Sequence, residues 1–477
     1  MTLNSSKHAR YGRLSKEKKQ ALQWIATNRT IYENIAYDIW LHPELGLSEL
    51  KSSRILCEFL EKNGFIVQRG LPGMPTAFVA SWGEGGPVIG FLAEYDALPN
   101  LSQKKMAITR AQITPGGPGH GCGHNLLGSS CCMAAIAVKS ALAQFGMSGV
   151  IKVFGTPSEE TLVGKVFMAR DGVFDQTDVM ISWHPEDCNC VDYKSFLALS
   201  SVKIRFKGSS SHGGSAPESG RSALDAVELM SAGTNRMRSH LPQEARIMHV
   251  ITHGGDVPNN IPPDAEIWYY VRAPRRFQVE RICSWLEDIA NGAALMTQTQ
   301  MEYKLLTATW EVLPNKVLAE VGDLNATAIG PPEFSEKDQD FGRSILKTLG
   351  LSKTGPAFEN GVKHPTLEKD FPDLPVFKAS TDIGNVSWMI PTLTFSVATK
   401  AKGTPQHSWQ MVSQAFSPPA IKGGVTASKW MAASALDCIL YPDIVMQARK
   451  ELERHLTKTP FYHPIPDDLP IPTPVDL

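Results

Sequence analysis

A surplus of charge is what this sequence most plainly lacks: 47 Lys and Arg stand against 48 Asp and Glu, a formal net charge of −1. A near-neutral chain has no electrostatic basis for gripping nucleic acid or an anionic membrane. No apolar run approaches the ~20 residues that a membrane-crossing helix needs, so no membrane span is expected. The N-terminus, "MTLNSSKHARYGRLSKEKKQ", has no apolar core and does not read as a secretory signal. Its first sixteen residues are basic and contain no acid, which leaves an organelle transit peptide as the alternative. Cysteine is scarce, eight residues scattered over 477. That usage fits reduced thiols and a cytoplasmic protein better than a disulfide framework. Hydrophobic content of 42% is ordinary for a soluble globular chain. The length exceeds what one small core organises, so two domains are expected.

Residues 17–41 have helical apolar spacing up to "HPELG". "TAFVASWG" and "PVIGFLAEYD" read as strands, "LLGSSCCMAAIAVKSALAQ" as a buried helix, "VIKVFGTP" as a strand, "GKVFMARDG" as a helix and "DVMISWHP" as a strand. Strands alternating with helices imply an α/β sheet covered on both faces. From residue 198 the order changes to β-α-β-β-α-β, ending at the strand "MEYKLLTATW", which is the ferredoxin-like unit. The α/β style resumes with strands "LPVFKAS" and "TLTFSVAT" and a helix near 419–440. The expected organisation is an α/β domain in two parts, 15–197 and 312–445, interrupted by an inserted domain at 198–311. The proline-rich residues 446–477 are expected to form an extended arm.

The stretch "GGPGHGCGHN", residues 116–125, joins five glycines to one Cys and two His. Glycine serves where the backbone bends sharply or approaches something closely, and Cys and His are the side chains that hold transition metals. Asp96 ends one predicted strand, Glu159 and Glu160 follow another, His184 ends a third and His407 follows "TLTFSVAT". Sites in open α/β sheets lie beyond the carboxyl ends of strands, so these residues can converge. Singly, each has an ordinary role. A lone Cys is a small buried hydrophobe, a His after a strand bonds its surroundings, and a Glu pair opens a helix. The combination points to a metal.

The motifs "EYDALP", "GHGCGHN", "GTPSEE", "SWHP", "SSSHGGSAPESGRSALDA", "GGDVPNNIPPDAEIWYYVR", "STDIGNVSW" and "GTPQHSWQ" occur in this order. Over roughly residues 20–440 the series resembles peptidase family M-20, whose members include aminoacylases and hydrolases of indoleacetyl-amino acids. The resemblance implies a phosphorylase/hydrolase-like three-layer α/β fold with a ferredoxin-like lid and dimerisation domain. It implies that Cys122, His124, Glu160, His184 and His407 hold two divalent ions, Mn(2+) or Zn(2+), with Cys122 between them. Glu159 is the implied general acid/base, and Asp96 orients the site. The resemblance further implies that His212 polarises the scissile carbonyl across a homodimer and that Asn260 and Arg272 bind the substrate's carboxylate. Many family members carry a metal-binding His where this chain has Glu94, so Glu94, like Asp382, has no assigned role. The implied activity is cleavage of an amide between an acyl or aromatic acyl group and an amino acid, with glutamate or aspartate as the candidates. Hydrolysis of dipeptides or of indoleacetyl-amino acids is the alternative within the family, and a related second subunit is the alternative to a homodimer. A non-catalytic metal-binding relative is disfavoured because Glu159 is present beside all five implied ligands.

Overall fold

The structure, a computed structural model, describes residues 10–351 and 355–477; the first nine residues of the basic N-terminal stretch lie outside them. The strands in chain order are β1 (Ile66–Leu71), β2 (Met74–Glu84), β3 (Val88–Ala93), β4 (Gly149–Gly155), β5 (Val179–Glu186), β6 (Cys190–Val191), β7 (Ser195–Phe196), β8 (Ala198–Lys207), β9 (Arg246–His253), β10 (Asp264–Ala273), β11 (Gln300–Thr309), β12 (Val376–Phe377) and β13 (Thr392–Ala398). The large sheet has the order β1-β2-β4-β3-β5-β13-β6. Four of its five inner strands, β4, β3, β5 and β13, run parallel, so their carboxyl ends share one edge.

Alternation along these strands builds two cores. Ile89 and Phe91 of β3, Ile151 and Val153 of β4, and Val179 and Ile181 of β5 pack with the helices His124–Phe145 and Pro418–Leu440. Leu92, Phe154 and Met180 point the other way, onto Val166 and Phe167 of the helix Gly164–Arg170 and Val386 of the helix Ile383–Ser387. The result is the expected three-layer α/β arrangement. The helix His124–Phe145 corrects one expectation: its 22 residues are long and apolar enough to cross a membrane, although 83% of its most apolar window is buried inside the protein. The small residues Gly128, Ser129, Ser130, Ala134 and Ala135 hid the run from a reading that sought bulky apolar side chains.

The second sheet is antiparallel with the order β11-β8-β10-β9. Two helices, Ala223–Met237 and Arg276–Thr297, join its strands as the ferredoxin-like pattern requires. On β10 every second residue is buried, and Ile267, Tyr269 and Val271 pack with Val202 and Ile204 of β8 beneath those helices. β9 is an edge strand, and its Met248, Val250 and Ile251 are exposed.

Several elements differ from the sequence reading. The first helical stretch is two helices, Lys16–Thr27 and Arg29–Leu41. Asn28 divides them, donating from both its backbone N–H and its side-chain amide to the Trp24 carbonyl. The helix Leu50–Lys62 and the exposed edge strand β1 were not foreseen. "LPVFKAS" contributes only the two residues of β12, paired with β7 apart from the large sheet. The extended arm expected from residue 446 begins later, because Pro442–Lys458 is a helix. Proline stands at its start, where it is tolerated, and Ile444, Ala448 and Leu452 are buried at helical spacing. The residues after Lys458 lie back on the protein, with Ile465, Leu469 and Ile471 against the second core.

Candidate metal centre

The glycine-rich loop earns its composition locally. Gly123 has φ 81°, in the left-handed region, and caps the helix that begins at His124. A side chain at Gly119 would meet the Leu101 carbonyl oxygen at 2.3 Å, and Gly119 pairs with Leu98 through both backbone groups. The loop thus folds tightly and turns sharply between Cys122 and His124. Asp96, just beyond β3, ties the elements together. Its Oδ1 lies 2.8 Å from His124 Nδ1, and its Oδ2 accepts from the Glu160 backbone N–H at 2.9 Å.

Glu159 and Glu160 open a short 3-10 turn, Glu159–Thr161, after β4. Its flanking residues Ser158 and Leu162 have φ of 60° and 61°, and His407 has φ of 56°. Non-glycine residues held there store about 1–3 kcal/mol each, and such strain concentrates at functional sites. The buried Glu49 helps hold the turn: it accepts from the Ser158 N–H at 2.8 Å and from Thr76 Oγ1 at 2.9 Å. Burial, reinforced by the Asp96 charge, pushes the Glu49 carboxyl up to about 8.

Two groups of possible ligand atoms, each within 4.8 Å of one another, share the Cys122 thiol: Cys122, His124 and His184, and Cys122, Glu160 and His407. A third group joins Glu94, His124 and Glu159. Cys122 Sγ is 3.3 Å from His184 Nε2, and His407 Nε2 is 3.2 Å from Glu160 Oε2. His124 Nε2 is 3.4 Å from Glu94 Oε2 and 3.8 Å from Glu159 Oε2. All eight cysteines are free, so the Cys122 thiol is available.

The electrostatics of the cluster call for positive charge. Burial opposes ionisation of Cys122, yet His184, with hydrogen bonding from His124 and His407, holds the thiol well below its ordinary value. Hydrogen bonding to Cys122 and Glu160 lifts His407 to about 10. Burial works against charge on His124 and His184, but Asp96 and Cys122 respectively hold them well above the usual imidazole range. Glu160 is pushed up to about 7 by burial and by Cys122. Glu159 is held well above an ordinary carboxyl by burial and then by the Glu94 charge. His124 Nε2, Glu160 Oε1 and Glu94 Oε2 are buried without a hydrogen-bond partner. Orphaned polar atoms converging with a thiolate and imidazoles fit divalent metal ions.

Sequence reasoning missed Lys165. It lies fully buried in an apolar helix, with Nζ 2.6 Å from Asp382 and 2.8 Å from Glu94. Its backbone N–H also donates to Asp382 at 2.9 Å. These contacts give both acids a structural part: a buried Glu94–Lys165–Asp382 array borders His124 Nε2, the edge opposite Asp96. The only local signal was a lysine inside "GKVFMA". Glu186, 3.4 Å from His184 and 3.1 Å from Lys400, was also unforeseen.

A cleft of about 600 Å³ opens on the cluster and is lined by Cys122, Glu159, Glu160, His184 and His407, with Arg272 among the other residues. Arg272 Nε is buried without a hydrogen-bond partner, and the guanidinium lies 5.4 Å from the Tyr270 ring centre. His212 and Asn260 are elsewhere. They pair with each other in an isolated bridge, both are exposed, and neither lines the cleft of its own chain. His212 Nδ1 accepts from the Gly214 and Ser215 N–H groups, each at 3.1 Å.

Fold and site together define a metal-dependent hydrolase class, and comparison with known proteins agrees. Residues 198–296 match the peptidase dimerisation domain of the M-20 peptidases. The chain belongs to peptidase family M-20 and is a hydrolase of amide bonds. It is 38% identical over 466 residues to a subunit of the p-aminobenzoyl-glutamate hydrolase of Escherichia coli (strain K12), covering 93% of this chain and 96% of that protein. It is 30% identical over 431 residues to the Xaa-Arg dipeptidase of Mus musculus, covering 87% of each. Its fold resembles that of a dinuclear metal-binding M-20 peptidase from Bacillus subtilis, with a TM-score of 0.55 and 18% identity, covering 87% of this chain and 99% of that one.

Proposed function

We propose that the protein is a binuclear divalent-metal amidohydrolase that cleaves the amide bond of an N-acyl or N-aroyl amino acid, of the p-aminobenzoyl-glutamate kind. The observation that carries this reading is the sharing of the Cys122 thiol between two ligand triads. Cys122, His124 and His184 would hold one ion, and Cys122, Glu160 and His407 the other. Two ions held there, Mn(2+) or Zn(2+), supply the Lewis acidity that polarises the scissile carbonyl and acidifies a water. Glu159, in the same cleft but outside both triads, takes the proton from the attacking water and delivers it to the amine nitrogen as the C–N bond breaks. Asp96 fixes the His124 ring through Nδ1 and the Glu160 backbone, which is how a neighbouring carboxylate orients a metal-binding imidazole. Arg272, half-buried at the cleft wall with an unanswered Nε, binds the carboxylate of the amino acid.

His212 and Asn260 act on a second copy's cleft in this reading, since they lie outside their own. The exposed apolar residues of the β9 edge and the dimerisation-domain match support pairing through residues 198–311. His212 then donates to the carbonyl oxygen as negative charge develops, a contact worth ~10²–10³ in rate. The second copy is this chain itself or a related subunit; the Escherichia coli relative is itself named as one subunit of its hydrolase.

The test strips the protein with a chelator, adds back Mn(2+) or Zn(2+), and follows amine release from p-aminobenzoyl-glutamate, indoleacetyl-aspartate and an Xaa-Arg dipeptide. Turnover of acyl or aroyl amino acids that saturates at two metals per chain is expected. Full activity at one metal per chain removes the binuclear reading. Two bound metals without turnover on any substrate make the chain a non-catalytic relative.

A further inference from the structure

The cations around the cleft fall into two groups. Lys165 is held by Asp382 at 2.6 Å and Glu94 at 2.8 Å, Lys194 by Asp192 at 2.7 Å, and Lys400 by Glu186 at 3.1 Å. Arg272 and Lys378 also line the cleft, and among the described residues neither has a carboxylate within 4.0 Å. Lys378 directly follows β12, whose Phe377 is 47% exposed and receives the Lys194 ammonium 4.8 Å from its ring centre. Lys194 is thus doubly committed, while Lys378 is exposed at the cleft wall. Outside the metal cluster the acids have partners: Glu186 and Asp192 pair with lysines, and Asp187 accepts from the Gly403 N–H at 2.7 Å. The wall therefore presents two positive charges with no internal anion. An amide of glycine answers one of them, and an amide of arginine adds a third cation. An amide of glutamate or aspartate brings two carboxylates.

We infer that Lys378 is a specificity residue that pairs with the side-chain carboxylate of an acidic amino acid while Arg272 takes the α-carboxylate. The preferred substrates are then N-acyl derivatives of glutamate or aspartate. This rests on the amidohydrolase reading above, and the experiment separates the two. The metal-loaded full-length protein and its Lys378→Met, Lys378→Glu and Lys378→Arg variants are assayed with benzoyl-L-glutamate, benzoylglycine and benzoyl-L-arginine. Equilibrium binding of the same probes is measured in the Glu159→Gln background. The wild type should favour benzoyl-L-glutamate over both others. An exposed ion pair is worth up to about fivefold, so Lys378→Met should lower the glutamate-to-glycine ratio of kcat/KM, and of affinity, by about that factor. Lys378→Glu, which adds repulsion, should lower it about tenfold or more, and Lys378→Arg should restore it. Raising the salt concentration should shrink the wild-type ratio. Turnover absent on every probe, with the binding ratio still dependent on Lys378, overturns the amidohydrolase reading and keeps the specificity assignment. A ratio unmoved by Lys378→Glu, binding of none of the probes, or a wild-type preference for benzoyl-L-arginine overturns the assignment itself.

Discussion

Replacing Glu159 by glutamine separates chemistry from metal binding. The change keeps the side chain's size and removes only its ability to carry a proton. Within the described residues the Glu159 carboxylate makes no hydrogen bond, and the basic group within 4.0 Å of it is His124 Nε2 at 3.8 Å. Its environment resists its charge, since burial and the neighbouring Glu94 both hold the carboxyl well above its ordinary value. A neutral amide therefore breaks no hydrogen bond and removes a charge the site disfavours, so folding stability should change by less than about 1 kcal/mol. The two triads that share Cys122 do not include Glu159, so two metals should remain bound. Catalysis should respond quite differently. Losing a positioned general acid/base removes ~10²–10⁴ in rate, about 2.7–5.5 kcal/mol of barrier stabilisation. The loss is larger where the same group generates the nucleophile. The assay measures metal content, melting temperature and kcat on one preparation. Turnover within about fivefold of wild type, with two metals bound, refutes the acid/base assignment. Loss of metal along with turnover makes Glu159 a ligand instead.

Three further outcomes follow from the same geometry. Because both triads use the Cys122 thiol, Cys122→Ser should weaken both metals together, and uptake by the wild type should release protons and fall off as pH drops, since the thiol and imidazoles bind metal only after losing them. Retention of two metals through dialysis of the serine variant would make Cys122 a mere buried thiol. Lys165→Met leaves Glu94 and Asp382 as buried acids without their cation, so denaturant unfolding should register a loss of about 3–5 kcal/mol; a change below about 1 kcal/mol would mean that the array is not held together by charge. Mixing two inactive variants, Glu159→Gln and His212→Ala, under subunit exchange should restore activity, because one site of each mixed dimer regains both residues. Silence after proven exchange places His212 in its own chain's chemistry or outside it.

What could be read from the sequence followed from short-range rules. The short, nearly continuous apolar runs in "PVIGFLAEYD" and "DVMISWHP" gave β3 and β5, and their shared parallel direction put Asp96 and His184 at one edge, where Cys122, His124 and the Glu pair meet them. The β-α-β-β-α-β order gave the second sheet for the same reason: each strand and helix carries its own period. The extents failed where a local rule misled. Proline in the tail suggested an extended chain from residue 446, but its prolines begin only at Pro460, and the residues before them continue the helix Pro442–Lys458, whose buried stripe is Ile444, Ala448 and Leu452. Small residues in the His124–Phe145 helix concealed a long buried run.

The supporting shell of the site was not legible, and the cause is distance along the chain. Lys165 and Asp382 are 217 residues apart, and Glu49 and Ser158 are 109 apart. A lysine in a sequence is read as surface, because a lone buried ammonium is prohibitively costly; only its partners make burial tolerable, and no local pattern names them. The ligands escape this limit because Cys, His and Glu at strand ends carry their chemistry in their identity. His212 marks the remaining boundary. Its role in the proposal depends on a second copy, so the fold of one chain leaves it exposed beside Asn260, and a sequence that reads it as an ordinary loop histidine agrees with everything a single chain contains. A site assembled from two chains becomes visible only as an absence in one. In the proposed reading Glu159, the two ligand triads and Arg272 belong to one chain's cleft, and the donor to the developing oxyanion comes from a second chain.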